Sequence, residues 1–180
     1  RGNRIAWRNA NGAVWHYAYD GAGRMRAEIA PAVNVAGVIQ DADGNLVLDG
    51  QPTLQHLVTR LDYDALGNLR ARTEAAGRPE ARTTFYEYDP LGRQVRTLFP
   101  PVGIYDPTQD DPLQNGIDGL AQRTDRLQTL SSETRYDAFG DAVAGRDVAG
   151  NTSHKTYDRM GRLAREVDAA GYVTRYERNA

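Results

Sequence analysis

The sequence contains no cysteine, which excludes disulfides, thiolate nucleophiles and cysteine-based zinc sites. It has a single lysine, Lys155, so arginine carries almost all of its positive charge. No apolar run approaches the ~18 residues that a membrane-spanning helix requires. The first residues show neither an initiator methionine nor a signal-peptide pattern, and we expect the chain to be an internal piece of a longer protein.

The charges of the chain nearly cancel, with 22 basic and 24 acidic residues and a formal net charge of -2. There is therefore no global field to attract nucleic acid or an anionic membrane surface. Hydrophobic residues make up 40% of the 180 positions, which is ordinary for a folded domain and argues against disorder. We expect neither nucleic acid nor a membrane span among the partners of this chain.

One short phrase, Tyr-Asp-x-x-Gly, recurs along the chain, and Arg or Asn follows its glycine in most copies. The copies span residues 19–23, 63–67, 88–92, 136–140 and 157–161. A second phrase begins with Asp, Glu or Asn and again ends in glycine three positions later. It covers residues 9–12, 74–77, 147–150 and 168–171, and each copy starts seven positions after the preceding turn glycine. Such regular spacing indicates an internal repeat.

The chemistry of the phrase explains its form. An aspartate or asparagine at the first position of a turn can bind the backbone N–H two residues later. A glycine at the fourth position can adopt a positive φ angle without steric cost. Together they favour a type I turn closed by a glycine bulge, which is a common connection in β-hairpins. Two such turns in each repeat predict two short strands in each repeat.

Residues between the turns alternate in polarity with period two, as strands do. Sets of residues expected to share a face are Met25, Ala27 and Ile29; Leu69, Ala71 and Thr73; Trp15, Tyr17 and Tyr19; and Thr84, Tyr86 and Tyr88. The arginines that follow the turn glycines, Arg24, Arg93 and Arg162, are expected to bond acidic or carbonyl groups of the adjacent unit. The sequence therefore predicts an all-β fold of tandem hairpins that form a curved antiparallel sheet over residues 1–180.

Weaker copies of the turn begin at Asp41, Asp111 and Asn179, which extends the array to about eight units of roughly 21 to 26 residues. Proline-rich stretches cannot lie in central strands, so they predict irregular loop insertions near 30–58 and 99–132. Within the second insertion, apolar residues with helical spacing suggest a short helix near 117–128.

The phrase Tyr-x-Tyr-Asp-x-x-Gly-Arg at residues 17–24 and 86–93 resembles the YD repeat of Rhs proteins. Related families are the C components of bacterial insecticidal toxin complexes and the teneurins. The resemblance implies a spiral β-shell, which in bacterial members encloses a C-terminal toxin and delivers it. The self-cleavage signature of the family, Asp-Pro-x-Gly-Leu, is matched only as far as residues 89–92, because Arg93 replaces the leucine. Self-cleavage is therefore not transferred to this chain.

Several groups of residues resemble binding sites, and each has a simpler interpretation. Alternating oxygen ligands for Ca²⁺ are suggested by Asp41, Asp43, Asn45 and Asp49, but glycine and glutamate are not at the loop positions that an EF-hand requires. We interpret this stretch as an ordinary Asx-Gly turn. The acidic cluster of Asp106, Asp110 and Asp111 is interpreted as a solvated loop.

The histidines and serines also fail to form a recognisable site. No metal-ligand spacing relates His16, His56 and His154, and no nucleophile motif surrounds Ser131, Ser132 and Ser153. The aromatic residues Trp7, Trp15 and Tyr17 could form a sugar-stacking platform, although cross-strand packing is the simpler reading. We therefore expect no catalytic, cofactor-binding or metal-binding residues.

Three functions are compatible with the sequence to different degrees. The first is a structural scaffold, a wall segment of an Rhs-type shell that encloses a C-terminal toxin and helps to deliver it. Its partners would be the neighbouring repeats of the same larger chain and the enclosed toxin, and it would be secreted or exported to the cell surface. The alternative is a cell-surface module that binds carbohydrate or protein. An enzyme is the least supported, because no active site is visible.

Overall fold

The computed structural model describes residues 2–105 and 126–178, which form β-strands and turns and contain no helix. The chain divides into two units, residues 1–93 and 94–180. Every strand pairing within these units is antiparallel. The predicted all-β hairpin fold is thus confirmed.

In the first unit, successive strands lie side by side and are joined mostly by tight turns. The strands are β1 (Ala6–Arg8), β2 (Val14–Tyr19), β3 (Met25–Val35), β4 (Val38–Gln40), β5 (Leu46–Leu48), β6 (Thr53–Tyr63), β7 (Leu69–Glu74) and β8 (Arg82–Tyr88). Their order across the sheet is β1-β2-β3-β6-β7-β8, and β4 and β5 pair only with each other.

The second unit follows the same plan. Its described strands are β9 (Gln94–Leu98), β10 (Val102–Ile104), β11 (Arg126–Gln128), β12 (Ser131–Tyr136), β13 (Ala142–Arg146), β14 (Thr152–Tyr157), β15 (Leu163–Val167) and β16 (Val173–Arg175). They lie in the order β9-β12-β13-β14-β15-β16, and β10 and β11 form a separate pair.

Alternating exposure along the strands confirms the period-two pattern. In β7, Ala71 is buried and its neighbours Arg70 and Arg72 are exposed. Among the described residues, only Leu61, Ala71 and Thr97 are buried. Because so few side chains are buried, the fold depends mainly on strand pairing and cross-strand contacts and not on a core between two layers.

The loop insertion expected near residues 30–58 is wrong in part, because β3 and β6 extend into it and pair with each other as far as Val35 and Thr53. Pro31 lies inside β3, where the pairing register shifts between Ile29 and Ala32. A proline is tolerated at such a bulge because it need not donate a ladder hydrogen bond. Since β3 pairs directly with β6, the turn at Asp41 closes a side hairpin and is not a unit of the main array.

The second expected insertion, near 99–132, falls between β9 and β12 in the sequence, except that Ser131 and Ser132 already belong to β12. These two strands pair directly, with Leu98 opposite Ser131, while β10 and β11 pair at the base of the branch. The weak turn at Asp111 and most of the helix expected near 117–128 fall outside the described residues. The last part of that helix, 126–128, is the strand β11.

Candidate functional site

The turns are the most regular feature of the molecule, and the turn at Asp20 illustrates their chemistry. Its carboxylate oxygen Oδ1 accepts hydrogen bonds from the backbone N–H groups of Ala22 and Arg24, each at 2.9 Å. The backbone N–H of Gly23 donates to the Asp20 carbonyl, and the N–H of Asp20 donates to the Arg24 carbonyl. One side chain therefore satisfies two turn donors, of which the sequence predicted the one two residues on. We call this arrangement an aspartate corner.

The aspartate corner recurs with almost unchanged geometry. The same two backbone donors, two and four residues later, lie 2.8–3.0 Å from Oδ1 at Asp41, Asp64, Asp89, Asp137, Asp147, Asp158 and Asp168. The glycine that ends each corner has a positive φ angle. Both predicted phrases thus form the same turn where they begin with aspartate.

Two copies of the second phrase depart from this pattern. The Oδ1 of Asn9 accepts the N–H of Ala13, four residues later, at 2.9 Å, without the bond from the residue two positions on. The predicted corner at Glu74 does not form. Glu74 is the last residue of β7 and pairs with Arg82, and the chain turns over residues 75–81 instead. Ala75 adopts a positive φ of 50° there. In place of an acid cap, Arg78 contacts Glu80, the Gln55 side chain and, at 3.2 Å, the Ala36 carbonyl. The longer glutamate side chain is not used to close the turn.

Where Arg or Asn stands four residues after the aspartate, its side chain binds the second carboxylate oxygen of the corner. Arg24 Nε lies 2.7 Å from Asp20 Oδ2, and Asn68 Nδ2 lies 3.0 Å from Asp64 Oδ2. The backbone N–H of Arg24, and then its guanidinium, hold the pKa of Asp20 below its ordinary value. The Asn68 amide has the largest part in lowering the pKa of Asp64.

These contacts correct the partners expected for the turn arginines. Arg24, Arg93 and Arg162 each bind the aspartate of their own corner, at 2.7–2.8 Å. Arg24 also reaches the next repeat, where Nη1 lies 3.5 Å from the Asp64 carbonyl and the guanidinium stands 4.8 Å from the centre of the Tyr63 ring. The expected contact between units is therefore present at Arg24 as a secondary contact.

The tyrosine of each Tyr-Asp phrase forms a contact that the sequence did not predict. Its hydroxyl donates to the carbonyl two residues after the glycine of the preceding Tyr-Asp corner, or after Gly2 in the case of Tyr19. This carbonyl lies on the neighbouring strand or just before it. The bonds join Tyr19 to Arg4 (2.8 Å), Tyr63 to Met25 (2.8 Å), Tyr88 to Leu69 (3.0 Å), Tyr136 to Gln94 (3.1 Å) and Tyr157 to Ala142 (3.0 Å). We call this series the tyrosine ladder.

The ladder continues at Arg178 with a different donor. This residue precedes Asn179 as the tyrosines precede their aspartates, and its Nη1 donates to the Leu163 carbonyl at 2.8 Å. Leu163 follows Gly161 by two positions, so it is the acceptor that the ladder requires. The ladder also passes directly from Met25 to Tyr63, which agrees with the exclusion of the Asp41 hairpin from the array.

The residues considered as a calcium site take part in a turn. The Asp41 carboxylate accepts the N–H groups of Asp43 and Asn45 and the Asn45 side chain amide. Within residues 2–105 and 126–178, no group of three or more His, Asp or Glu side chains is placed to hold a metal ion.

The histidines and serines lie apart from one another. His56 Nδ1 lies 2.6 Å from the Ala30 carbonyl, and His16 is exposed on β2. Ser153 and His154 are consecutive in β14, so their side chains point to opposite faces of the sheet. The structure brings no serine–histidine pair together among these residues.

Trp7 and Trp15 are direct cross-strand partners, with ring centroids 4.8 Å apart and planes tilted by 47°. Tyr17 is the cross-strand partner of Glu28 on β3, the strand that flanks β2 on the edge away from β1. The two indoles therefore pack against each other in the way the cross-strand interpretation predicted.

Comparison with known proteins places this geometry in a family. The RHS repeat family model matches residues 1–32, 63–98 and 136–173, which is more than half of the chain. The chain belongs to the RHS repeat family. The matched ranges hold all five Tyr-Asp corners and leave out the side hairpin at Asp41 and the branch after β9. No significant match is found among curated proteins.

Toxin-complex proteins are among the solved structures that match this chain. The chain shares 15% identity with the Photorhabdus luminescens Tc holotoxin pore carrying a TccC3 mutation, with a TM-score of 0.50 over 95% of this chain and 9% of that chain. It shares 15% identity with TcdB2-TccC3-TEV, with a TM-score of 0.36 over 89% of this chain and 12% of that one. The RHS repeat chain thus spans only about a tenth of these proteins.

In its described part, no helix has the length and apolar character for a bilayer crossing.

Proposed function

We propose that this RHS repeat array is a wall segment of a hollow shell that encloses a toxin carried C-terminally in the same larger protein and helps to deliver it. The observation that carries the proposal is the tyrosine ladder. Each repeat is fixed to the preceding one by strand pairing and by one side chain–backbone bond, so a further repeat can be added by the same rule.

The geometry suits a wall. The sheet is built one hairpin at a time, and both of its faces leave most side chains at least partly accessible. Insertions such as the β4–β5 hairpin branch off without interrupting the pairing of β3 with β6. A sheet of this kind can be lengthened without enlarging a core, which is what enclosing a separate domain requires.

The remaining parts of the proposal concern the whole protein. The array itself carries no catalytic role, and the chemistry that harms a target belongs to the enclosed domain. The protein acts after secretion or at the cell surface, and the immediate partners of the array are neighbouring repeats of its own chain. The likeness in fold to toxin-complex proteins supports this assignment.

Limited proteolysis of the full-length protein tests enclosure. The C-terminal domain should resist trypsin in the wild type and become sensitive when two corners are broken by Asp64→Ala and Asp158→Ala. The substitution Gly21→Ala, at a glycine with ordinary backbone and open space, serves as a control that keeps the protection. Equal cleavage of the C-terminal domain in all three proteins would contradict a shell.

The alternative, a carbohydrate-binding surface module, is favoured by one observation, the 43% exposure of Trp7. The tilt between the Trp7 and Trp15 rings leaves no shared flat surface for sugars, and this weakens the carbohydrate-binding alternative. A glycan array would decide: binding that disappears in Trp7→Ala would favour the surface module over the wall.

A further inference from the structure

One face of the second unit collects arginines from five strands. Cross-strand partners share a face, and the pairing places Arg96, Glu133, Arg146 and Thr152 in one row. A second row contains Arg135, Ala144, His154, Val167 and Val173, and a third contains Thr156, Arg165 and Arg175. Alternation along each strand puts the three rows on the same face. We call these residues the arginine face.

The charge on this face is not balanced within the described structure. Five arginines stand against a single acid, Glu133, which lies 3.6 Å from Arg96. The other four, Arg135, Arg146, Arg165 and Arg175, are exposed and form no salt bridge with any described residue. The excess of positive charge contrasts with the nearly neutral balance of the chain as a whole.

The arrangement also includes a direct repulsion. Arg165 and Arg175 are cross-strand partners, and like charges in that position destabilise a sheet. On the opposite face of β15, Glu166 faces Lys155 of β14 at 3.5 Å, which is the favourable arrangement. The arginine pair itself does not stabilise the sheet, and an anion bound between the two guanidinium groups would relieve their repulsion.

The surface has the form of a shallow binding site. Arg135, Arg146, Thr152 and His154, with Glu133, line a cleft of about 390 Å³. Arginine offers a planar fork of donors that matches carboxylate, phosphate and sulfate groups. The three rows contain no tyrosine, tryptophan or phenylalanine, and His154 is their single aromatic ring, so the face offers little of the ring stacking that nucleobases and sugars use.

We propose that the arginine face binds an extended acidic polypeptide, rich in aspartate and glutamate. Neighbouring strands are ~4.8 Å apart, so Arg135 on β12 and Arg165 on β15 are separated by roughly 14 Å across the sheet. Side chains on one side of an extended peptide repeat about every 7 Å, so a peptide crossing the strands can present one carboxylate to each of these arginines. This proposal is independent of the shell.

Binding of a fluorescently labelled oligo-glutamate peptide to the complete 180-residue chain tests the proposal. The triple variant Arg135→Gln, Arg165→Gln and Arg175→Gln should weaken binding by about tenfold or more, because it removes three charge-assisted contacts. The control triple Arg60→Gln, Arg70→Gln and Arg82→Gln removes the same charge from exposed strand positions of the first unit. It should change the affinity by less than about twofold.

Several outcomes would overturn the proposal. Equal losses in both triple variants would mean that the peptide responds only to net charge. Tighter binding of a single-stranded oligonucleotide or a sulfated glycan than of oligo-glutamate would assign the face to that polyanion instead. Circular dichroism checks folding, and if the face triple is unfolded, Arg165→Gln alone replaces it. This single change removes a repulsion and should weaken binding while the sheet is retained.

Discussion

At the scale of single residues, local and long-range contacts differ in how well the sequence reveals them. The aspartate corner was predictable because Asp20 binds groups only two and four residues away, and such contacts leave a fixed spacing. The tyrosine ladder was not predictable, because Tyr63 binds a carbonyl 38 residues earlier. The insertions also make the sequence separation between each tyrosine and its acceptor vary. The recurrence of tyrosine directly before the aspartate was the only available signal.

The ladder predicts a measurable contribution from each hydroxyl. Tyr88→Phe removes the donor to the Leu69 carbonyl and should lower the free energy of unfolding by about 1 kcal/mol in urea denaturation. Tyr172→Phe is the matched control, because Tyr172 is 76% exposed and lies outside the ladder. Equal stability of the two variants would show that the ladder bond contributes nothing.

The glycine at the end of a corner provides a second test. Gly23 has a φ of +84°, whereas Gly21 in the same turn has ordinary backbone and open space around it. Gly23→Ala should lower the free energy of unfolding by about 1 kcal/mol, and Gly21→Ala should leave it nearly unchanged. Thermal or urea unfolding of both variants would reveal the difference, and the opposite order would exclude the assigned turn.

The corners also predict how stability depends on pH. Hydrogen bonds lower the folded-state pKa values of Asp64 and Asp147, in both cases chiefly through the asparagine four residues later. Their stabilisation is thus complete above the ordinary aspartate pKa of about 4 and is lost as the pH falls through the lowered values. The urea concentration at the unfolding midpoint should decrease as the pH is lowered below about 4. The double variant Asp64→Asn, Asp147→Asn should show a smaller decrease. A midpoint independent of acid would contradict this.

At the scale of strands and hairpins, the sequence showed where turns occur and failed to show which strands pair. The Asp41 turn has the same local chemistry as the others, yet its hairpin pairs with nothing else. Pro31 suggested a break, but a register shift in the β3–β6 pair accommodates it. Strand pairing is decided by tertiary contacts that composition and spacing do not encode.

The side position of this hairpin can be tested by deletion. Replacing residues 38–48 with Asn-Gly should leave the β-sheet signal and a single cooperative unfolding transition in place, because β4 and β5 pair only with each other. Circular dichroism with urea denaturation measures both properties. Loss of cooperative unfolding would show that the hairpin is part of the array.

At the scale of the whole molecule, the repeat specifies the fold class and the resemblance specifies the family, whereas the arginine face came only from the structure. Arg135 and Arg165 lie 30 residues apart in sequence, and only the strand register places them on one face. The absence of a site signal in the sequence is understandable for the same reason. A surface assembled from several hairpins has no local motif.

The central claim is that hairpins far apart in sequence pair side by side in one defined register, and engineered disulfides test it directly because the chain has no cysteine of its own. Leu98 and Ser131 are cross-strand partners on either side of the branch, at a separation that a disulfide can span. Leu98→Cys with Ser131→Cys should form an intramolecular bridge on mild oxidation. Leu98→Cys with Ser132→Cys, whose side chains point to opposite faces, should not, and efficient bridging of this second pair or none of the first would contradict the account.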